Sequence, residues 1–267
     1  MATPVSNNSA AWDALLTEGH AWQFCPDELR APGVRDRCRS WLSADEAARY
    51  EQFRTEKMRE SYLAARALCR ATLSRYTGVD PSRWRFGQGL YGKPTLVAPG
   101  NFKSLRFNLT HTDDLVICIV TRAGEVGVDA EKTSQRVEIA PIARHFLSRR
   151  QRARLASLPS CERAARFFEQ WVLKEAYVKS IGKGLAYAPE RVTVEQDDNG
   201  EPVAIGRCQF SVYRPSSSHV AAAAVMRGRC VAPVSIRWFV WTTSARPFET
   251  IAEAPRGTRR TGSTTLP

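Results

Sequence analysis

The sequence predicts an α+β protein made of two similar halves in pseudo-twofold duplication, with a ligand cleft between them. Three observations predict it. A helix-opening signal occurs in each half, a turn of the form Gly-x-Pro follows a long helix in each, and each pattern ends in a histidine before an apolar run. Ordered recurrence within one chain is how a duplicated unit shows itself. A helix laid on a small antiparallel sheet is a unit that hides the apolar face of both.

Residues 1–12 are polar and aperiodic and read as a flexible N-terminal tail. Residues 13–124 make the N-terminal half. There Ser43 precedes Glu46 with capping-box spacing, and an Ala-, Leu- and Arg-rich helix spans 60–76. Gly92-Lys93-Pro94 and then His111 follow. Residues 125–243 make the C-terminal half, in which Ser148 and Gln151 repeat the capping box and a helix spans about 162–181. Gly200-Glu201-Pro202 and His219 follow. Pro94 and His111 move by the same 108 positions onto Pro202 and His219. Strand-like runs at 115–121 and 220–226 complete the two patterns, and residues 244–267 read as a second flexible tail.

Composition narrows the function. With 43% hydrophobic and 25% charged residues, a chain of 267 residues is neither disordered nor fibrous. Its charge is +12, and only seven of the 39 cations are lysine. Such an arginine-dominated surface suits a polyanion: nucleic acid, a phosphorylated cofactor or an acidic protein. Apolar runs such as 115–120 are too short to cross a bilayer, and no secretory signal is visible at the start. Seven cysteines without a CxxC pair argue against a disulfide framework and a thiolate zinc site. The expectation is a reduced, cytoplasmic chain with no membrane association.

Four segments carry chemistry. The run 115–121, a short turn and the run 126–131 read as a hairpin. Alternation on its second strand puts Val126, Val128 and Ala130 on one face and Gly127, Asp129 and Glu131 on the other. Two carboxylates two residues apart on one face suit a shared hard cation, although a solvated strand face carries the same pattern. Gly127 beside them favours close approach by a ligand. On the long second helix, Trp171, Glu175 and Lys179 recur every fourth residue and share a stripe. Lys174 lies off it. A charge pair on a largely core-facing helix needs a further charged partner or a cation. Phe107-Asn108-Leu109-Thr110-His111 places a hydroxyl beside an imidazole near a strand end, and Tyr91-Gly92-Lys93-Pro94 is a turn carrying one cation.

Together these segments resemble the 4′-phosphopantetheinyl transferases of the long, single-chain Sfp-like class. The resemblance rests on Gly92-Lys93-Pro94, Phe107 to His111, Gly127-Val128-Asp129-Ala130-Glu131, and the helix segment from Trp171 to Lys179. It runs from about Leu42 to Val194, and more loosely to about Val240. Two positions depart from the family pattern: Thr110 replaces the usual serine, and Ala130 stands where a larger aliphatic residue is common.

The resemblance implies that coenzyme A donates its phosphopantetheine arm to a serine of an acidic apo acyl or peptidyl carrier protein, releasing 3′,5′-ADP. It implies Mg²⁺ held by Asp129, Glu131 and Glu175, with Glu175 also the base, directly or through a metal-bound water. Lys179 then neutralises phosphate charge and is counted with Glu175 as catalytic. Thr110, His111 and Lys93 contact the cofactor, and Arg59, ahead of Lys57, holds the 3′-phosphate. It implies no nucleic-acid partner, and two joined halves imply a monomer. Two alternatives remain at this point. A basic nucleic-acid-binding module accounts for the charge but not for the paired carboxylates. A non-catalytic coenzyme A-binding protein on the same fold is the other.

Overall fold

The computed structural model describes residues 9–89, 91–134, 138–184, 188–197, 201–229, 231–242 and 250–253. Gly200, Cys230, residues 1–8 and most of 244–267 therefore lie outside the described residues.

Two sheets are stacked between two long helices. The first sheet has the order β10 (Thr250–Glu253), β9 (Ser235–Thr242), β1 (Glu18–Phe24), β5 (Val116–Thr121), β4 (Arg106–His111). The second has the order β6 (Gly124–Lys132), β8 (His219–Arg227), β7 (Cys208–Ser216). A hairpin of β2 (Arg85–Gln88) and β3 (Pro94–Ala98) stands apart. Helix α4 (Glu56–Thr77) covers the outer face of the first sheet, packing Leu63, Ala67 and Leu68 with Trp22, Val116, Cys118 and Val120. Helix α7 (Ser160–Ser180) covers the second, packing Phe168, Val172 and Ala176 with Val220, Ala222 and Ala224. The inner faces meet through Ala21, Ile117 and Ile119 against Val126, Val128, Ala221 and Ala223. The alanine run 221–224 explains how β8 fits this sandwich: small side chains on both faces let a helix and a sheet approach it from opposite sides.

The α+β duplication is visible in topology. In each half a strand, a long helix and two further strands follow in order, and the last strand takes the centre: β1-β5-β4 and β6-β8-β7. Both capping boxes form, Ser43 with Glu46 opening α3 (Ala44–Gln52) and Ser148 with Gln151 opening α6 (Arg149–Ala156).

Four expectations are corrected. The runs before and after residue 122 do not pair as a hairpin: β5 pairs with β1 and β4, while β6 pairs with β8. Both strands have an apolar face, so they stack across the inter-sheet core. The constant offset of 108 is not a structural register, because His111 ends β4 whereas His219 begins β8. The turns after β4 and β7 differ in length, so the two histidines are not equivalent. The tails are also shorter than the sequence indicates. Residues Ser9–Ala14 form α1, whose Trp12 packs edge-on against Phe102, and Thr250–Glu253 pairs antiparallel with β9. Lastly, the halves interlock: β9 of the second half runs parallel to β1 and extends the sheet of the first.

Candidate active site

Edge strands β4 and β6 lie side by side where the two sheets meet, and side chains rather than a backbone ladder join them. Asn108 Oδ1 accepts the Val128 N–H at 2.9 Å, and Thr110 Oγ1 donates to Asp129 Oδ1 at 3.2 Å. From α7, Lys179 Nζ reaches Asp129 Oδ1 at 2.6 Å and the Val128 carbonyl at 3.1 Å. Alternation aims Gly127, Asp129 and Glu131 toward α7, as the pleat predicts, while Val126, Val128 and Ala130 enter the inter-sheet core. Small Ala130, 3% exposed, fits that core.

Gly127 serves the helix rather than a ligand. A Cβ there would lie 2.1 Å from the Ala176 carbonyl and 2.5 Å from the Ser180 nitrogen. Only glycine lets α7 sit so close to β6, and this contact sets Lys179 over Asp129.

The seam opens into a cleft of adjoining cavities. One of about 680 Å³ is lined by Thr110, His111, Asp113, Asp129, Glu131 and Lys179. A second of about 370 Å³ is lined by Tyr91, Lys93, Asn108, Glu175 and Lys179. A third of about 530 Å³ extends along α4 past Arg49, Lys57, Arg66 and His111. Six of the expected residues, Thr110, His111, Asp129, Glu131, Glu175 and Lys179, therefore line two cavities that share Lys179. Lys93 joins them on the β2–β3 side, where its Nζ donates to the Val126 carbonyl at 2.9 Å. Arg59 does not. Its Nε donates to the Phe53 carbonyl at 3.1 Å, and it lines none of these three cavities, whereas Lys57, two residues earlier on α4, faces the groove. Arg70 is fully buried and bonds to the Pro81 and Trp84 carbonyls, so that cation belongs to the core. Lys174 is also buried: its Nζ donates to the Phe146 carbonyl at 2.8 Å, tying α7 to the end of α5 (Ile139–Phe146).

Electrostatically the site holds three carboxylates whose pKa values are all raised. Burial raises the Asp129 pKa, against the pull of Lys179 and Thr110. Burial and the neighbouring charges of Asp129 and Glu175 push Glu131 up to about 7, although Lys179 and Trp171 pull it down. Glu175 is raised by burial and by Asp129. His111 is lowered by desolvation and by the Lys179 ammonium. One oxygen of Asp129, Oδ2, is buried without a hydrogen-bond partner among the described residues. Such an oxygen is costly unless something charged meets it. Among the described residues no three His, Cys, Asp or Glu groups converge at metal-ligand range. Yet the unpartnered oxygen and the mutual repulsion of three acids fit a divalent cation.

Comparison with known proteins settles the family. Residues 34–123 match the model of the 4′-phosphopantetheinyl transferase N-terminal region, and residues 125–229 match that of the 4′-phosphopantetheinyl transferase superfamily. The chain belongs to the 4′-phosphopantetheinyl transferase superfamily. It is 29% identical to the 4′-phosphopantetheinyl transferase HetI of a Nostoc species, over 85% of this chain and 91% of that one. It is 28% identical to the 4′-phosphopantetheinyl transferase Sfp of Bacillus subtilis, over 64% and 68% of the two chains. A phosphopantetheinyl transferase of a Thraustochytrium species is 31% identical over 62% of this chain and 61% of its own. The boundary between the two family models falls at the passage from β5 to β6, where the chain leaves the first sheet for the second.

Two contributors escaped sequence reasoning. Asn108 has no evident role in the sequence; its place between apolar Phe107 and Leu109 gives no sign that it bridges two sheets. Asp114 lies in a polar turn, where a carboxylate is unremarkable in sequence. In the fold it accepts from Lys132 Nζ at 2.7 Å and pairs with His219 Nε2 at 2.9 Å.

Proposed function

We propose that this chain transfers the 4′-phosphopantetheine arm of coenzyme A to a serine hydroxyl of an apo acyl or peptidyl carrier protein, releasing 3′,5′-ADP. The observation that carries this reading is Asp129: one oxygen held by Lys179 and Thr110, the other buried and unpartnered among the described residues, at a cleft lined by His111. Names of the relatives support the same activity.

The chemistry follows from the placement of the side chains. Lys179 sits where two cavities meet, so its ammonium can neutralise charge on a pyrophosphate lying across both. Thr110 and His111 present a hydroxyl and an imidazole to the larger cavity, and Lys93 closes the smaller one. Lys57 takes the place expected of Arg59 as the cation for a phosphate in the groove along α4. Glu175, with its pKa raised, is the base suited to take the proton of the attacking serine. The serine oxygen then bonds to the β-phosphorus, and the bond from that phosphorus to the bridging oxygen breaks. Asp129, Glu131 and Glu175 would hold Mg²⁺, which supplies charge neutralisation of the pyrophosphate when bound.

In this reading the chain acts as a cytoplasmic monomer, the arginine excess steers an acidic carrier to the cleft, and nucleic acid is not a partner. Among the described residues no helix is long and apolar enough to cross a membrane, and the six described cysteines are free. The test is incubation with coenzyme A, Mg²⁺ and several apo carriers, followed by intact-mass measurement of each carrier. A phosphopantetheine adduct is expected; its absence across fatty-acid, polyketide and nonribosomal peptide carriers sinks the proposal.

A further inference from the structure

The turn joining β4 to β5 carries two adjacent aspartates that face opposite ways. Asp113 pairs with Lys57 of α4 at 2.6 Å, on the side of the first half. Asp114 faces the second half and gathers three donors: Lys132 Nζ at the end of β6 at 2.7 Å, His219 Nε2 at the start of β8 at 2.9 Å, and Thr112 Oγ1 of its own turn at 3.1 Å. His219 is 6% exposed, and its other nitrogen, Nδ1, meets Ser216 Oγ at 2.9 Å. Both ring nitrogens therefore have a neighbour and the ring is fixed in plane. The turn is closed on itself by the Thr112 N–H to the Leu115 carbonyl at 2.8 Å. It follows directly on Thr110 and His111, and Thr112, Asp113 and Lys132 line the same cavity as Asp129 and Glu131.

We propose that Asp114 and His219 form a clasp between the two halves, acting as positioning residues that hold His111 and the cleft wall at the separation a pyrophosphate requires. The first half supplies the turn and the second supplies two of its anchors, Lys132 and His219, from neighbouring strands in register with each other. Elsewhere along β4 the halves are joined at Arg106, Asn108 and Thr110; beyond His111 the clasp takes over. Without it the turn would keep its internal Thr112–Leu115 bond and an exposed pair to Lys57 on its own half, and could swing with α4 away from β6. Neither residue touches the reacting atoms in this arrangement. Their effect passes through His111 and Lys132.

This inference rests on the coenzyme A reading of the cleft, and the experiment separates the two. Coenzyme A binding is measured by calorimetry, and transfer kinetics by carrier mass, for the wild type and for Asp114→Ala, His219→Ala, the double variant, Asp114→Asn and His219→Gln. The expected result is about a tenfold rise in Kd and in KM for coenzyme A in either alanine variant, with kcat changed less than threefold. The double variant should be no worse than the singles, because contacting residues couple and independent ones add. Asparagine or glutamine, which keep a hydrogen-bonding atom, should recover most of the affinity. Thermal melts identify any variant that has lost its fold, and the alanine variant that remains folded then carries the test. Unchanged coenzyme A affinity in a folded alanine variant, or effects that add in the double variant, overturns the clasp. A wild type that binds no coenzyme A and modifies no carrier overturns the underlying reading instead.

Discussion

Lys179 Nζ lies 2.6 Å from Asp129 Oδ1, while Oδ2 of the same carboxylate is buried and unpartnered among the described residues. One cation thus satisfies half of an acid that is only 5% exposed. The other half is poised for a second cation, and burial already raises the cost of leaving it bare. Asp129→Asn keeps the shape and removes the charge. Transfer is expected to fall by about a hundredfold or more, the scale of removing one electrostatic element of a transition state. The variant should still unfold cooperatively in urea; retained activity would place the acidic site elsewhere.

Glu175→Gln removes the group best suited to take the serine proton while leaving the Lys179–Asp129 pair intact. The expected outcome is a loss of kcat of about a hundredfold, within the range of general-base contributions, with little change in coenzyme A affinity. Steady-state kinetics at saturating coenzyme A, alongside calorimetric binding, measures both. An equal loss in binding would recast Glu175 as a cofactor contact.

Gly127→Ala tests the contact that brings the helix to the strand. Its Cβ would fall 2.1 Å from a backbone oxygen of α7, and backbone cannot step aside as a side-chain tip can. Overpacking of this kind costs about 1–3 kcal/mol. A lower urea midpoint, corresponding to a stability loss of that size, is expected, together with loss of transfer as Lys179 moves off Asp129. A stable and active variant would show that α7 does not depend on this close approach.

Much of this arrangement was legible in the residues. The pleat of β6 placed Asp129 and Glu131 on one face, and helical spacing put Glu175 and Lys179 on one stripe, because both follow from local periodicity. Both capping boxes were readable for the same reason. What could not be read is what faces those stripes. Gly127 looked like room for a ligand, and only the fold shows a helix backbone filling it. Residues 115–121 and 126–131 looked like a hairpin, because alternation does not say whether a strand pairs at its edge or stacks on its face. Arg59 and Lys57 were nearly indistinguishable in sequence; two residues of helix turn them to different sides.

Asn108 holds the seam from the first half. It is 5% exposed, and its Oδ1 takes the Val128 N–H, while Lys179 takes the carbonyl of the same residue. Asn108→Ala would leave a buried N–H without an acceptor, at a cost of about 1–3 kcal/mol. Because Val128 precedes Asp129, a displacement there moves the acid itself, and misplacements near 1 Å can cost about a hundredfold in rate. The expected result is a lower urea midpoint together with a kcat loss larger than that of a control of similar destabilisation at a buried position of α4 that lines none of the three cavities, such as Leu73→Val. Equal losses in the two variants would reduce Asn108 to a packing role.

Glu131 gives the site a pH signature that can be read without the reaction. Its pKa in the fold is raised to about 7 by burial and by Asp129 and Glu175, against an unfolded value of about 4.3. Between those values the folded state holds a proton that the unfolded chain has released, so stability falls as pH rises through the window. In a chelator, the melting temperature should therefore decline from about pH 5 to pH 7 more steeply than in Glu131→Gln. Mg²⁺ binding favours the ionised acids and should raise the wild-type melting temperature most near pH 7, where the repulsion is greatest. Differential scanning calorimetry of both proteins, with and without Mg²⁺, reads both effects. Identical slopes with and without the carboxylate would mean that Glu131 does not titrate in this window, and an equal Mg²⁺ response in Glu131→Gln would remove it from the metal site.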